Sequence, residues 1–304
     1  MPFLNRKPCA FRRCFVLFAT LAAVLLALAG CGGAAGGKRD AQGRLNVVAS
    51  FYPMAEFARC AGGSHVAVTT LVPDGTEPHD WEPTARDLGR LSAAALFLYN
   101  GGVESWAPKA IEAIGPGKVN ALEAGRGILE GDDPHVWVSP RRAAREVTAI
   151  RDELIRLDPE HKSDYERNTA AYLTELARLD RELARTAATA KRKAFVTTHA
   201  AFGYLAKDYG LTQIPVLGMN PEAEPSPAEL ARLVRLIQEQ GIHYVFFETL
   251  VSPKLAETLA RSAGVRTLVL NPLEGLTQEE RQAGRDYVSV MEENIRNLRT
   301  ALQE

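Results

Sequence analysis

Short apolar runs rich in β-branched residues alternate with longer stretches of helical periodicity along most of this 304-residue chain. In its first half the runs are LNVVASF, HVAVTTLV, ALFLYN and KVNAL, separated by helical stretches near 54–61, 85–93 and 105–114. In its second half they are AFVTTH, TQIPVLG, YVFFET and RTLVLN, with helices predicted near 201–209, 227–240, 253–263 and 278–302. Strand–helix–strand alternation of this kind predicts parallel sheets flanked by helices. The fold class is therefore α/β, in two lobes that each carry a mainly parallel sheet.

Between the halves, residues 139–158 and 160–193 are helical by composition, free of glycine and with proline only near the starts. Tyr165, Thr169, Tyr172, Leu176, Leu179 and Leu183 recur every three or four residues, which sets one apolar stripe against the lobes. A continuous helix from 161 to 188 would be about 42 Å long. The expected division is an N-terminal lobe at 45–160, a linking helix at 161–190 and a C-terminal lobe at 191–304. A linker of this stiffness predicts little relative movement of the lobes.

The amino end differs from the rest. Arg6, Lys7, Arg12 and Arg13 precede an uncharged, mostly apolar run that ends in LALAGC. This pattern is a secretory signal over residues 1–30, short for a membrane span. Arg12-Arg13 adds a twin-arginine look that leaves the export route open. After Cys31 the small and polar GGAAGGKRDAQGR reads as a flexible tether, residues 31–44.

Removing the signal leaves 32 basic against 37 acidic side chains, a charge of about minus five. No basic surplus remains to neutralise phosphates, so nucleic acid is excluded as a partner. Of four cysteines, Cys9 and Cys14 leave with the signal and Cys31 stands at the head of the tether. Cys60 is left without an internal partner. The nearest approach to a P-loop, GPGKVN, lacks the earlier glycine and the hydroxyl residue.

Candidate chemistry rests on the six histidines. His199 closes the run AFVTTH and His79 follows HVAVTTLVP, so both are placed to face a crevice at strand ends, while His135 lies between prolines in DPHVWVSP, just before a helix. Each alone reads equally as a surface or hydrogen-bonded core histidine. His65, His161 and His243 read as surface or hydrogen-bonded core residues. Glu77, Asp80 and Asp133 are nearby carboxylates that either orient an imidazole or sit solvated in loops. Glu248 ends a strand and either faces the cleft or, the reading ranked first, serves as a helix cap or an inter-lobe hydrogen bond.

Five motifs in order, GTEPHDWEPT, DPHVWVSP, FVTTHAAFGYLAKDYGL, FFETLVSPKLAETLA and LNPLEGLT, resemble the metal-binding solute-binding proteins of bacterial ABC importers, in particular the zinc-binding ZnuA and AdcA type. The resemblance implies two α/β lobes on a long helix with one metal ion between them. It implies His79, His135 and His199 as ligands, with Glu274 of NPLE as the fourth and Asn271 as the weaker alternative. LALAGC likewise resembles a lipobox, which makes Cys31 the lipidated first residue of the mature chain.

Three neutral imidazoles and a carboxylate suit tetrahedral Zn²⁺. Mn²⁺ favours more oxygen-rich sets and is the lesser expectation. The implied partners are an ABC permease with its separate ATPase, and a membrane reached through the lipid anchor on the outer face. The protein would be a monomer, and its zinc affinity would fall as pH drops through roughly 6.5. Competing readings are a manganese receptor, a metal-dependent adhesin and a secreted zinc hydrolase.

Overall fold

The computed structural model of the protein describes residues 38–304 apart from residue 222. The expected signal at 1–30, the lipidation site Cys31 and the first part of the tether lie outside the described residues. Residues 38–44, which the sequence reading counts with the tether, lie against the body. The Arg39 guanidinium reaches Asp158 at 2.9 Å, and Asp40 accepts from the backbone of Gln42 and Arg44 to close a turn.

The first lobe contains β1 (Leu45–Ala49), α1 (Tyr52–Gly62), β2 (Val66–Thr70), α2 (Ala85–Ala93), β3 (Leu96–Tyr99), α3 (Ala107–Ile114) and β4 (Asn120–Glu123). Its four strands are all parallel, in the order β2-β1-β3-β4. Two long helices follow, α4 (Pro140–Leu157) and α5 (Lys162–Ala188). The second lobe is built from β5 (Ala194–Thr197), α6 (Gly203–Tyr209), β6 (Thr212–Pro215), α7 (Pro227–Glu239), β7 (Tyr244–Phe247), α8 (Lys254–Ala263) and β8 (Arg266–Val269). Its sheet repeats the first arrangement, parallel throughout in the order β6-β5-β7-β8.

Central strands covered on both faces must be apolar along their length rather than alternating, and LFLY in β3 and YVFF in β7 are. Helix starts are set by reciprocal caps: Thr84 with Asp87 for α2, and Ser226 with Glu229 for α7. The last helix, predicted as one piece over 278–302, is two: α9 (Gln278–Gln282) and α10 (Tyr287–Gln303). Gly284, at φ 69°, ends the first, and Asp286 caps the second through Ser289, a break that apolar periodicity alone does not reveal.

All six stripe residues of α5 are buried, and its 27 residues span about 40 Å. Phe57 of α1, Tyr172 of α5 and Tyr287 of α10 meet ring to ring at 5.3–6.5 Å, which ties the two lobes to the rod. One continuous apolar core takes in α1, α4, α5, α10 and the inner faces of both sheets, while each outer face has a smaller core of its own. The lobes therefore share an interior.

Candidate metal centre

Because every strand in both sheets is parallel, the loops that leave their carboxyl ends gather on one side of each lobe, where ligands characteristically bind. His79 lies in the loop after β2, His135 in the loop after β4, His199 just beyond β5 and Glu274 in the loop after β8. Residues separated by 56 to 195 positions thereby meet.

Their ligand atoms lie within 4.8 Å of one another. Glu274 Oε1 is 3.1 Å from His79 Nε2, 3.1 Å from His135 Nε2 and 3.5 Å from His199 Nε2. His135 Nε2 is 3.2 Å from His79 Nε2 and 3.4 Å from His199 Nε2. A tetrahedral ion with bonds near 2.05 Å has edges of about 3.3 Å, so these separations match its donor shell. The side chains of His135 and His199 are wholly buried, Glu274 is 1% exposed and His79 is 12% exposed.

Two of the imidazoles are oriented from behind. His135 Nδ1 lies 2.8 Å from Asp133 Oδ1, and His199 Nδ1 lies 2.6 Å from Glu248 Oε2. A carboxylate on Nδ1 fixes the tautomer and turns Nε2 to the centre. Glu248, read from sequence first as a cap or an inter-lobe bond, thus has an orienting contact instead, and it also accepts from Thr198 Oγ1 and the His199 backbone. Its position at the end of β7, one strand from His199, was the available signal. Of the other carboxylates, Glu77 accepts the His79 backbone N–H at 2.9 Å, and Asp80 is exposed.

The Glu274 loop is pinned on several sides. Trp137 Nε1 donates to Pro272 O at 2.8 Å, and Tyr287 Oη donates to Trp137 O at 2.6 Å. Leu273, beside Glu274, has φ 62°, the one positive value for a non-glycine among the described residues. Asn271 supports that strained turn: its Oδ1 accepts Leu273 N–H at 2.7 Å and its Nδ2 donates to Thr249 and Glu280. Its amide faces the turn rather than the histidines.

Electrostatics follow from this crowding. Burial would raise the Glu274 carboxyl, but hydrogen bonds from three imidazoles hold it well below the ordinary carboxylate range. Burial would lower His199, yet the Glu248 and Glu274 carboxylates outweigh it and hold the imidazole at about 10. His135 is raised in the same way by Asp133 and Glu274. Glu77 is pushed up to about 9 by burial and by the charge of Glu274. Such a pocket is a place made for a cation.

The remaining histidines stand apart. His65 and His161 stack at 3.9 Å, each on an aspartate, Asp164 and Asp158 respectively. Asp158, Glu160 and His161 form a second acidic group, but Arg39 occupies it.

Comparison with known proteins gives one answer. Residues 47–301 match the family model described as ZnuA, the periplasmic component A of the zinc-uptake complex. The zinc-binding lipoprotein AdcA of Streptococcus pneumoniae is 41% identical over 93% of this chain, which spans only 60% of that relative's length. The crystal structure of the Zn(II)-bound ZnuA-like domain of AdcA superposes with a TM-score of 0.79 at 44% identity, covering 86% of this chain and all of that one. The high-affinity zinc uptake system protein ZnuA of Bacillus subtilis is 40% identical over 93% of this chain and 96% of its own. The laminin-binding protein Lmb of Streptococcus agalactiae, whose structure is described as that of a bifunctional adhesin and metal transporter, is 32% identical with a TM-score of 0.78, covering 85% of this chain and 99% of that one.

Proposed function

Because this chain belongs to the ZnuA family of zinc-uptake components, we propose that it is an extracytoplasmic zinc receptor of an ABC importer, handing its ion to a membrane permease served by a separate ATPase. His79, His135, His199 and Glu274 are the ligands in this reading. The observation that carries it is the convergence of these four side chains, three of them buried, to tetrahedral spacing.

Four protein donors fill a tetrahedral shell and leave no place for an activated water, so the reading is of binding and not catalysis. Cys31 would carry the lipid, with the chain between it and residue 38 as the tether. The monomer expected from sequence belongs to the same proposal. Likeness to Lmb supports surface adhesion as a second role that leaves the metal site in place.

The test is metal analysis of the mature protein with calorimetric titration. One Zn²⁺ per chain, and a loss of affinity of about 100-fold or more in Glu274→Ala, is expected for a lost first ligand. Full affinity in that variant would overturn the ligand set.

A further inference from the structure

The four candidate ligands are not equally shielded, and the difference has a direction. His79 alone keeps appreciable exposure, at 12% of its side chain. It is carried by a loop, residues 71–84, that leaves β2, an edge strand of its sheet. Pro78 and Pro83 stiffen the part of the loop that carries the imidazole, and Glu77 Oε1 holds the His79 N–H from within the same segment. Gly75, at φ 78°, takes the left-handed turn that joins Asp74 to this stiff segment, so the segment follows Asp74 closely.

Two contacts fasten this loop beyond the metal site to the segment that carries Glu274. Gly75 N–H donates to Leu276 O at 2.9 Å. Arg281 grips Asp74 with a two-pronged fork, Nε to Oδ2 at 3.0 Å and Nη2 to Oδ1 at 2.7 Å, with its guanidinium 5.8 Å from the centre of the Tyr52 ring. Asp74 stands at the start of the His79 segment, and Arg281 follows Glu274 by seven positions.

We propose that the ion enters and leaves on the His79 side, and that Asp74 and Arg281 are positioning residues that hold this loop down and set the rate of zinc release. The inference rests on the four-ligand reading above. The fork is half-exposed, 39% and 38% for its two side chains, so its worth to overall stability is small. Its kinetic effect is larger in proportion, because His79 cannot swing off the ion until the loop is free. Loss of such a tie appears in the dissociation rate rather than the association rate.

The experiment is stopped-flow displacement of Zn²⁺ by a chelator from the zinc-loaded protein, its Arg281→Gln and Asp74→Asn variants, and the charge-swapped pair Asp74→Arg with Arg281→Asp. Arg141→Gln is the control, since it breaks a comparably exposed pair with Asp180 away from the loop. The expected result is release about 3- to 10-fold faster in each single variant, association within about twofold, and partial restoration in the swapped pair. Unchanged release, or an equal rise in the control, overturns the proposal while the ligand reading stands. A parent protein that binds no zinc at this site overturns both.

Discussion

Glu248 Oε2 lies 2.6 Å from His199 Nδ1, and both groups are buried, so the carboxylate decides which nitrogen of that imidazole faces the proposed metal centre. Glu248→Gln keeps the shape and removes the charge. Zinc affinity is expected to fall about 10- to 100-fold, as for other orienting carboxylates, with one ion per chain retained. Competition against a chromogenic chelator measures it. An unchanged affinity would make the contact merely structural.

Glu274 and Asn271 sit three residues apart in one loop and should fail differently. Glu274→Ala removes a donor and should abolish most of the rise in melting temperature that zinc gives. Because it also takes away the buried partner of three imidazoles, it should lower the melting temperature of the metal-free protein at neutral pH as well. Asn271→Ala removes the acceptor of Leu273 N–H and a donor to Thr249, so it should cost stability by about 1–3 kcal/mol. Melting curves with and without zinc separate the two effects.

These two residues also mark what the sequence could and could not tell. Strand and helix order was legible because buried parallel strands need continuous apolar runs and helices need their stripe. His79 and His199 are candidates by their place at strand ends and His135 by its proline-bounded turn, yet their meeting is not legible, because separations of 56 and 64 positions follow no spacing rule. Family motifs supplied that link. Glu248 could be placed at a strand end from the sequence, but its role could not, because nothing in FFET says that β7 lies beside β5, the pairing that brings its carboxylate to His199.

Zinc binding should release protons at neutral pH. An imidazole must be unprotonated to bind metal, and His199 is held at about 10 by Glu248 and Glu274 against the effect of burial, with His135 also raised. The window of falling affinity therefore begins above the value near 6.5 expected from free histidine. Calorimetry at pH 7.5 in buffers of different ionisation enthalpy should show at least one proton displaced. For the metal-free protein the sign is fixed by linkage. A histidine raised on folding stabilises fully below its unfolded value of 6.5, and that contribution is lost as pH rises toward 10. Metal-free protein should therefore lose melting temperature between pH 7 and 10 more steeply than the zinc-loaded form.

Glu146 of α4 is wholly buried, and neither of its carboxyl oxygens has a hydrogen-bond partner among the described residues. Burial, and then the neighbouring Glu104 carboxylate, push its pKa well above the ordinary 4.5. The unfolded chain gives up this proton near 4.5 while the folded chain keeps it, so the group destabilises the fold increasingly as pH rises above that value. Glu146→Met should raise stability by about 1–3 kcal/mol and the melting temperature by about 2–6 °C, more at pH 8 than at pH 5.

Movement between the lobes should be small. A solute receptor with a loop hinge can close by large rotations, but here Phe57, Tyr172 and Tyr287 lock the two lobes and α5 together. Arg178 of α5 adds a 2.6 Å contact to Glu292 of α10. Opening the lobes as rigid bodies would separate the whole shared core, whereas displacing the 71–84 loop would disturb it only where Val72 and Trp81 pack against it. Solution scattering should therefore give radii of gyration for the metal-free and zinc-loaded forms that agree within about 0.5 Å. Tyr172→Ala, which empties the centre of the aromatic trio at a cost of about 3–5 kcal/mol, should widen that difference. Equal radii in the variant, or a large contraction of the parent protein on adding zinc, would show that α5 is not what restrains the lobes.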